Sequence, residues 1–189
     1  RFIVLALKNL TISELKQQIA TLLTTRDLLI TQHTDAQIKT AIAFGPELWS
    51  KLHTTTPTGF QQLGPQHGAF HMPVVPADVF IHIASSHADL CFALSQAFFA
   101  GIQNKVEVLD ERVCFRYLDS RDLTGFIDGT ENPQFPDDRA EVALLPQQSG
   151  IFADGRLQQK LNVTAELPLC ESAVFLSFDI CIFLYFDIF

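Results

Sequence analysis

The chain has 189 residues, 48% of them hydrophobic and 18% charged, which suits one packed domain, or one and a fragment of another, and excludes a chain that is disordered throughout. With 21 acidic and 13 basic residues its formal net charge is −8, which argues against nucleic acid as a partner. Its four cysteines, Cys91, Cys114, Cys170 and Cys181, share no Cys-x-x-Cys spacing; two sit in apolar periodic segments, so buried free thiols are expected.

Phe2 to Leu7 is a continuous apolar run of strand length. Thr11-Ile12-Ser13-Glu14 has the form of a capping box, and Ile12, Leu15, Ile19, Leu22 and Leu23 follow at helical spacing. Ile38, Thr40, Ile42 and Phe44 alternate as a second strand, which Gly45-Pro46 ends. Pro46 suits the first turn of a short helix carrying Leu48 and Trp49. Residues 53–76 hold four prolines and three glycines without periodicity, as either an elaborated surface crossing or a functional loop. Val79, Ile81 and Ile83 alternate as a third strand and leave His82 on its other side. Ser86-His87-Ala88-Asp89 opens a second long helix with the stripe Leu90, Cys91, Leu94, Ala97 and Phe98, and Gly101 stands where a C-terminal cap belongs. Val106 to Leu118 supplies one or two further strands, with Val113, Phe115 and Tyr117 on one side. The order strand, helix, strand, strand, helix, strand is the split βαβ pattern of a ferredoxin-like α+β domain.

The segment after those strands carries the chemistry. Gly125-Phe126-Ile127-Asp128-Gly129-Thr130-Glu131-Asn132-Pro133 sets one carboxylate between two glycines, directly after an apolar pair. Glycine permits a sharp turn and close backbone approach to something large and flat. An acid desolvated beside Phe126 and Ile127 would have a raised pKa and could exchange protons near neutral pH. The same residues also make a plain turn, since Asp-Gly and Asn-Pro are common turn dipeptides. Arg121-Asp122 and Asp137-Asp138-Arg139 read as solvated turns or salt links, or, for Arg121, as a prop for the acidic loop.

This segment resembles the Gly-x-x-Asp-Gly signature of the dye-decolorizing (DyP-type) haem peroxidases. The lead-in Phe115-Arg116-Tyr117-Leu118-Asp119-Ser120-Arg121-Asp122-Leu123, the run Ala43-Phe44-Gly45-Pro46-Glu47-Leu48-Trp49 and the approach from Met72-Pro73 to His82 are similar to that family too. The likeness runs from about residue 2 to about Gly155. It implies the first of two ferredoxin-like domains, residues 1–155, including the acidic loop. It also implies a haem b cofactor, with hydrogen peroxide and small reducing compounds such as dyes or phenols as substrates. Asp128 would be the acid-base residue, and Gly125, Ile127, Asp128, Gly129, Thr130, Glu131 and Asn132 would line the haem. Tyr117 and Trp49 read as core packing or as electron relays. Family members form homo-oligomers, some of them enclosed in protein shells. The family's iron-ligand histidine and neighbouring arginine come from the second domain; all six histidines here precede Asp128, and none takes the ligand position. On that reading the chain holds half an active site and is inactive alone.

Residues 156–189 stand apart, and 171–189 carry five of the seventeen phenylalanines. We expect this tail to be out-of-frame or read-through sequence, non-native or disordered, in place of a second half. An unusual native tail and a membrane anchor are the alternatives. Asp179 and Asp187 weigh against the anchor, because each acid near a helix centre costs about 2.5 to 3.5 kcal/mol on insertion. No membrane partner is therefore expected, and with no signal peptide at the start a cytoplasmic setting is expected. His67 with His71 and His82 with His87 invite a metal site, but neither spacing completes a usual ligand set. The competing reading is a non-catalytic ferredoxin-like module for ligand binding or dimerisation.

Overall fold

The computed structural model describes residues 1–54, 66–67, 71–72, 76–121, 125–127, 135, 137–138 and 184–187, with backbone alone at 66–67, 71–72, 120 and 184–187. Strand β1 (Phe2–Leu7) is buried at Phe2, Ile3, Val4 and Leu5, so both of its faces are covered, as its unbroken apolar run requires. Helix α1 (Ile12–Gln32) begins at the expected box: the Glu14 amide donates to Thr11 Oγ1 at 3.2 Å, and the Thr11 amide donates to Glu14 Oε2 at 2.9 Å. Glu14 also receives the Lys105 ammonium, and that contact, ahead of the Thr11 bonds, lowers its carboxyl pKa to about 2. The pair joins the start of α1 to the turn before Val106, whose Lys105 carbonyl accepts from the amides of Lys8 and Asn9 at 2.9 and 3.2 Å.

Strand β2 (Lys39–Phe44) leads through Gly45 into helix α2 (Pro46–Leu52), with Pro46 in its first turn and Leu48 and Trp49 buried. The Gly45 amide donates to the Asp78 carbonyl at 2.8 Å, and a Cβ at this position would stand 2.1 Å from the Ala77 carbonyl oxygen. This corner needs glycine for close approach, since its φ of −67° is open to any residue.

Within 53–76, where no periodicity shows, two short strands pair: β3 (Gln66–His67) and β4 (His71–Met72), with His67 opposite His71. Two-residue strands are too short to leave a repeating signal. Strand β5 (Val79–Ala84) buries Val79, Ile81 and Ile83 fully. Helix α3 (Ala88–Phe99) follows with Leu90, Leu94 and Phe98 inside, and Gly101, at φ +81°, takes the left-handed cap position. Strand β6 (Val106–Arg112) completes the motif, and β7 (Leu184–Asp187) adds to the free side of β2.

The sheet runs β6-β1-β5-β2-β7, every pair antiparallel. Without β7 this is the ferredoxin-like order, the first and third strands of the motif at its centre. The core lies between one sheet face and the helices, built on Ile3, Leu5, Ile42, Val79, Ile81 and Ile83 against Leu15, Leu22, Leu94 and Phe98. Arg26 enters this layer with Asp27 Oδ1 at 2.7 Å from Nη2 and Thr40 Oγ1 at 3.2 Å from Nη1. The opposite face carries Phe2, stacked on His82 at 4.5 Å and on Phe80 at 5.7 Å.

Two expectations change. The strand signal extends to Leu118, yet β6 stops at Arg112, and Val113, Phe115 and Tyr117 are exposed. The reason is register: Arg112 pairs with Phe2, and β1 offers no strand residue beyond it. Cys91 and Cys114 are free as expected, but Cys91 is only half-buried and Cys114 is exposed, while Cys170 and Cys181 lie outside the described residues. Burial pushes the Cys91 thiol up.

Candidate functional site

A bulge in β6 opposite Val4 and Leu5 takes up one extra residue, so the strand leaves the sheet with added twist. The chain then crosses to a tight 3₁₀ turn over Leu118–Ser120, in which Asp119 sits at φ 49°, ψ 32°. That left-handed conformation suits few side chains, and aspartate is among those that tolerate it. The Arg121 amide closes the turn on the carbonyls of Tyr117 and Leu118 at 3.1 and 2.9 Å.

Arg121 then does two things. Its backbone forms an antiparallel bridge with Ile127, and its guanidinium Nη1 donates to the Gly125 carbonyl at 2.8 Å. The loop between is therefore closed at its base by backbone and braced across by one planar cation. Gly125 is at φ +95°, and a Cβ there would meet nothing within 4 Å. Glycine at this point is a conformational need, not a packing one. Beyond it Phe126 and Ile127 are 75% and 49% exposed, two apolar side chains turned outward at the threshold of the acid.

Of the expected site residues, Gly125 and Ile127 are therefore placed on one braced loop. Asp128, Gly129, Thr130, Glu131 and Asn132 lie outside the described residues. Arg121 as a loop prop is the contact that sequence left open between two readings. The Asp119 turn escaped sequence reasoning; Asp-Ser is a turn pair, but it stood inside what looked like a strand.

The residues present fit one side of a flat apolar cofactor: a braced turn, a left-handed glycine and outward apolar side chains. They do not identify an iron ligand. The histidines with described side chains sit at the end of α1 (His33), the end of α2 (His53), in β5 (His82) and at the start of α3 (His87), none of them in 113–127. Among the described residues there is no group of three or more histidines, cysteines or carboxylates able to hold a metal ion. No helix among them is long and apolar enough to cross a membrane. Trp49 is buried and stacked on His53 at 5.3 Å, whereas Tyr117 is 37% exposed and is not core.

Residues 3–116 match the family model "Dyp-type peroxidase, N-terminal" and residues 119–166 match "Dyp-type peroxidase, C-terminal". The second match takes in Asp128 and continues past 155, where the sequence alone places the end of the likeness. A dye-decolorizing peroxidase of Brevibacterium linens is 40% identical over 92 residues, covering 48% of this chain and 25% of that protein. A dye-decolorizing peroxidase structure from Bacteroides thetaiotaomicron superposes with a TM-score of 0.73 at 25% identity, over 80% of this chain and 50% of that one. A variant DyP from Rhodococcus jostii, in complex with heme, gives a TM-score of 0.68 at 28% identity over 78% and 48% of the two chains. This chain thus spans a quarter of the Brevibacterium protein in that match and about half of each solved structure. With the N-terminal model matched across more than half its length, the chain belongs to the Dyp-type peroxidase family.

Proposed function

We propose that this chain supplies the acid-bearing side of the haem pocket of a peroxidase that consumes hydrogen peroxide and small reducing compounds such as dyes or phenols. The observation that carries the reading is the Arg121 brace, whose guanidinium holds the Gly125 carbonyl at 2.8 Å, three positions before Asp128. A proton carrier must be held within hydrogen-bond reach of its partner, and a loop fixed at its base is what such reach requires.

Haem b, when bound, would supply the oxidising power. The protein's part is proton management. Asp128 takes a proton from hydrogen peroxide through a carboxylate oxygen and returns it to the departing oxygen, so one group serves as base and then as acid. Each peroxide reduced to two waters takes two electrons and two protons, one electron from each of two substrate molecules. Gly125 and Gly129 allow the backbone to approach the ring, while Ile127, Thr130, Glu131 and Asn132 border its edge.

The test is Asp128→Asn in the complete enzyme. It should retain the haem absorption band and lose turnover by about 10²- to 10⁴-fold. Turnover equal to the parent's would take Asp128 out of the mechanism. One observation favours a second reading, of a non-catalytic self-associating module: Val113, Phe115, Leu118, Phe126 and Phe135 are all well exposed.

A further inference from the structure

We propose that the β3–β4 pair is a metal clip, in which His67 and His71 together hold one late transition-metal ion, copper(II) foremost. The two histidines are four apart in sequence, a separation that gathers ligands on one face of a helix, but both stand in strands. The pairing supplies a common face by another route. β3 and β4 run antiparallel with His67 directly opposite His71 and Gln66 opposite Met72. Opposed positions of an antiparallel ladder share a face, and their Cβ atoms are about 4.5–5.5 Å apart. That span suits two imidazoles on one ion, where each metal–nitrogen bond is about 2 Å long. Register makes the pair: a slip of one residue would set His67 opposite Met72 and put the histidines on different faces.

The donor set names the ion. Two neutral ring nitrogens favour late transition metals, whereas calcium and magnesium require oxygen ligands. A structural zinc site closes a tetrahedron with four protein ligands. Copper(II) and nickel(II) take a tetragonal set, in which two adjacent nitrogens leave the other positions to water. Copper(II) binds most tightly of the divalent first-row ions. The intervening Gly68-Ala69-Phe70 brings no side-chain donor of its own. Neither histidine is among the residues assigned to the haem, so the clip is tested separately from that reading.

The untagged, haem-free 189-residue chain is titrated with copper(II) sulfate in a weakly coordinating buffer and followed by calorimetry and electron paramagnetic resonance. One equivalent should bind with a dissociation constant on the order of 10 µM, and nickel(II) about tenfold more weakly. The copper spectrum should carry the coupling of two imidazole nitrogens. His67→Ala and His71→Ala should each weaken binding at least about tenfold. His87→Ala, which removes the histidine 3.3 Å from Asp35, should leave it unchanged. Adding Met72→His to His71→Ala should not restore the site, because position 72 pairs with 66. No saturation by about 1 mM copper(II), parental affinity in either single variant, loss in His87→Ala, or rescue by Met72→His would each overturn the clip.

Discussion

His82 shows how much one place in an alternating strand decides. Its neighbours Ile81 and Ile83 fill the helix-side core, so His82 falls on the other face, where its strand partner Phe2 stacks on it at 4.5 Å. Burial, with the N-terminal ammonium and Lys39 acting in the same direction, lowers its pKa to about 4 from 6.5. The unfolded chain therefore takes up this proton first. Stability should be complete above pH 6.5 and should fall from there toward pH 4, by up to about 1.4 kcal/mol per pH unit for this one group. Urea unfolding of His82→Gln should lose that slope; an unchanged slope would assign it elsewhere. Glu14 acts in a lower window. With its pKa lowered from 4.5 to about 2, its contribution is present above 4.5 and fades as pH falls toward 2. At this scale the sequence was informative where a residue answers to its own strand or turn, as His82 and Gly125 do. It was open where a side chain reaches across, as Arg121 does.

Among the elements, the corner between β2 and α2 is the tightest described. Gly45→Ala would place a methyl on the Ala77 carbonyl oxygen, which is backbone and has no rotamer to give. A loss of about 1–3 kcal/mol is expected from such overpacking, read as a lower urea midpoint with unchanged slope. A midpoint equal to the parent's would mean that the corner opens freely. Sequence marked this corner through Gly45-Pro46, but for its stop signal and not for the close approach, which depends on Ala77 more than thirty positions away. Local signals were otherwise dependable: the Thr11–Glu14 box, the Pro46 start and the Gly101 cap all form as the residues dictate. Nonlocal ones were not. Val113, Phe115 and Tyr117 alternate as well as any strand, but β1 ends before it can pair with them. What had the pattern of an element became the approach to the acidic loop.

For the whole molecule, that approach is a surface question. Phe115 and Phe126 are 71% and 75% exposed, and together with Val113, Leu118 and Phe135 they make one stretch of sequence rich in uncovered apolar side chains. In sedimentation the chain alone should associate, and Phe115→Ser with Phe126→Ser should shift it toward monomer. A monomeric parent would show that these side chains are already accommodated. The ferredoxin-like arrangement could be read from element order, while the β7 pairing could not, since a partner some 140 positions from β2 leaves no local mark. The place of β1 has a further consequence, for synthesis on the ribosome. The strand made first lies between β5 and β6, and the partner of Phe2 is Arg112, about 110 residues later. At about 5–20 residues per second, the most apolar strand of the sheet waits roughly 5–20 s before its second neighbour is made. Until β5 is made it has no strand partner, and until β6 is made one of its edges stays open, an interval in which an apolar strand is exposed to misassociation.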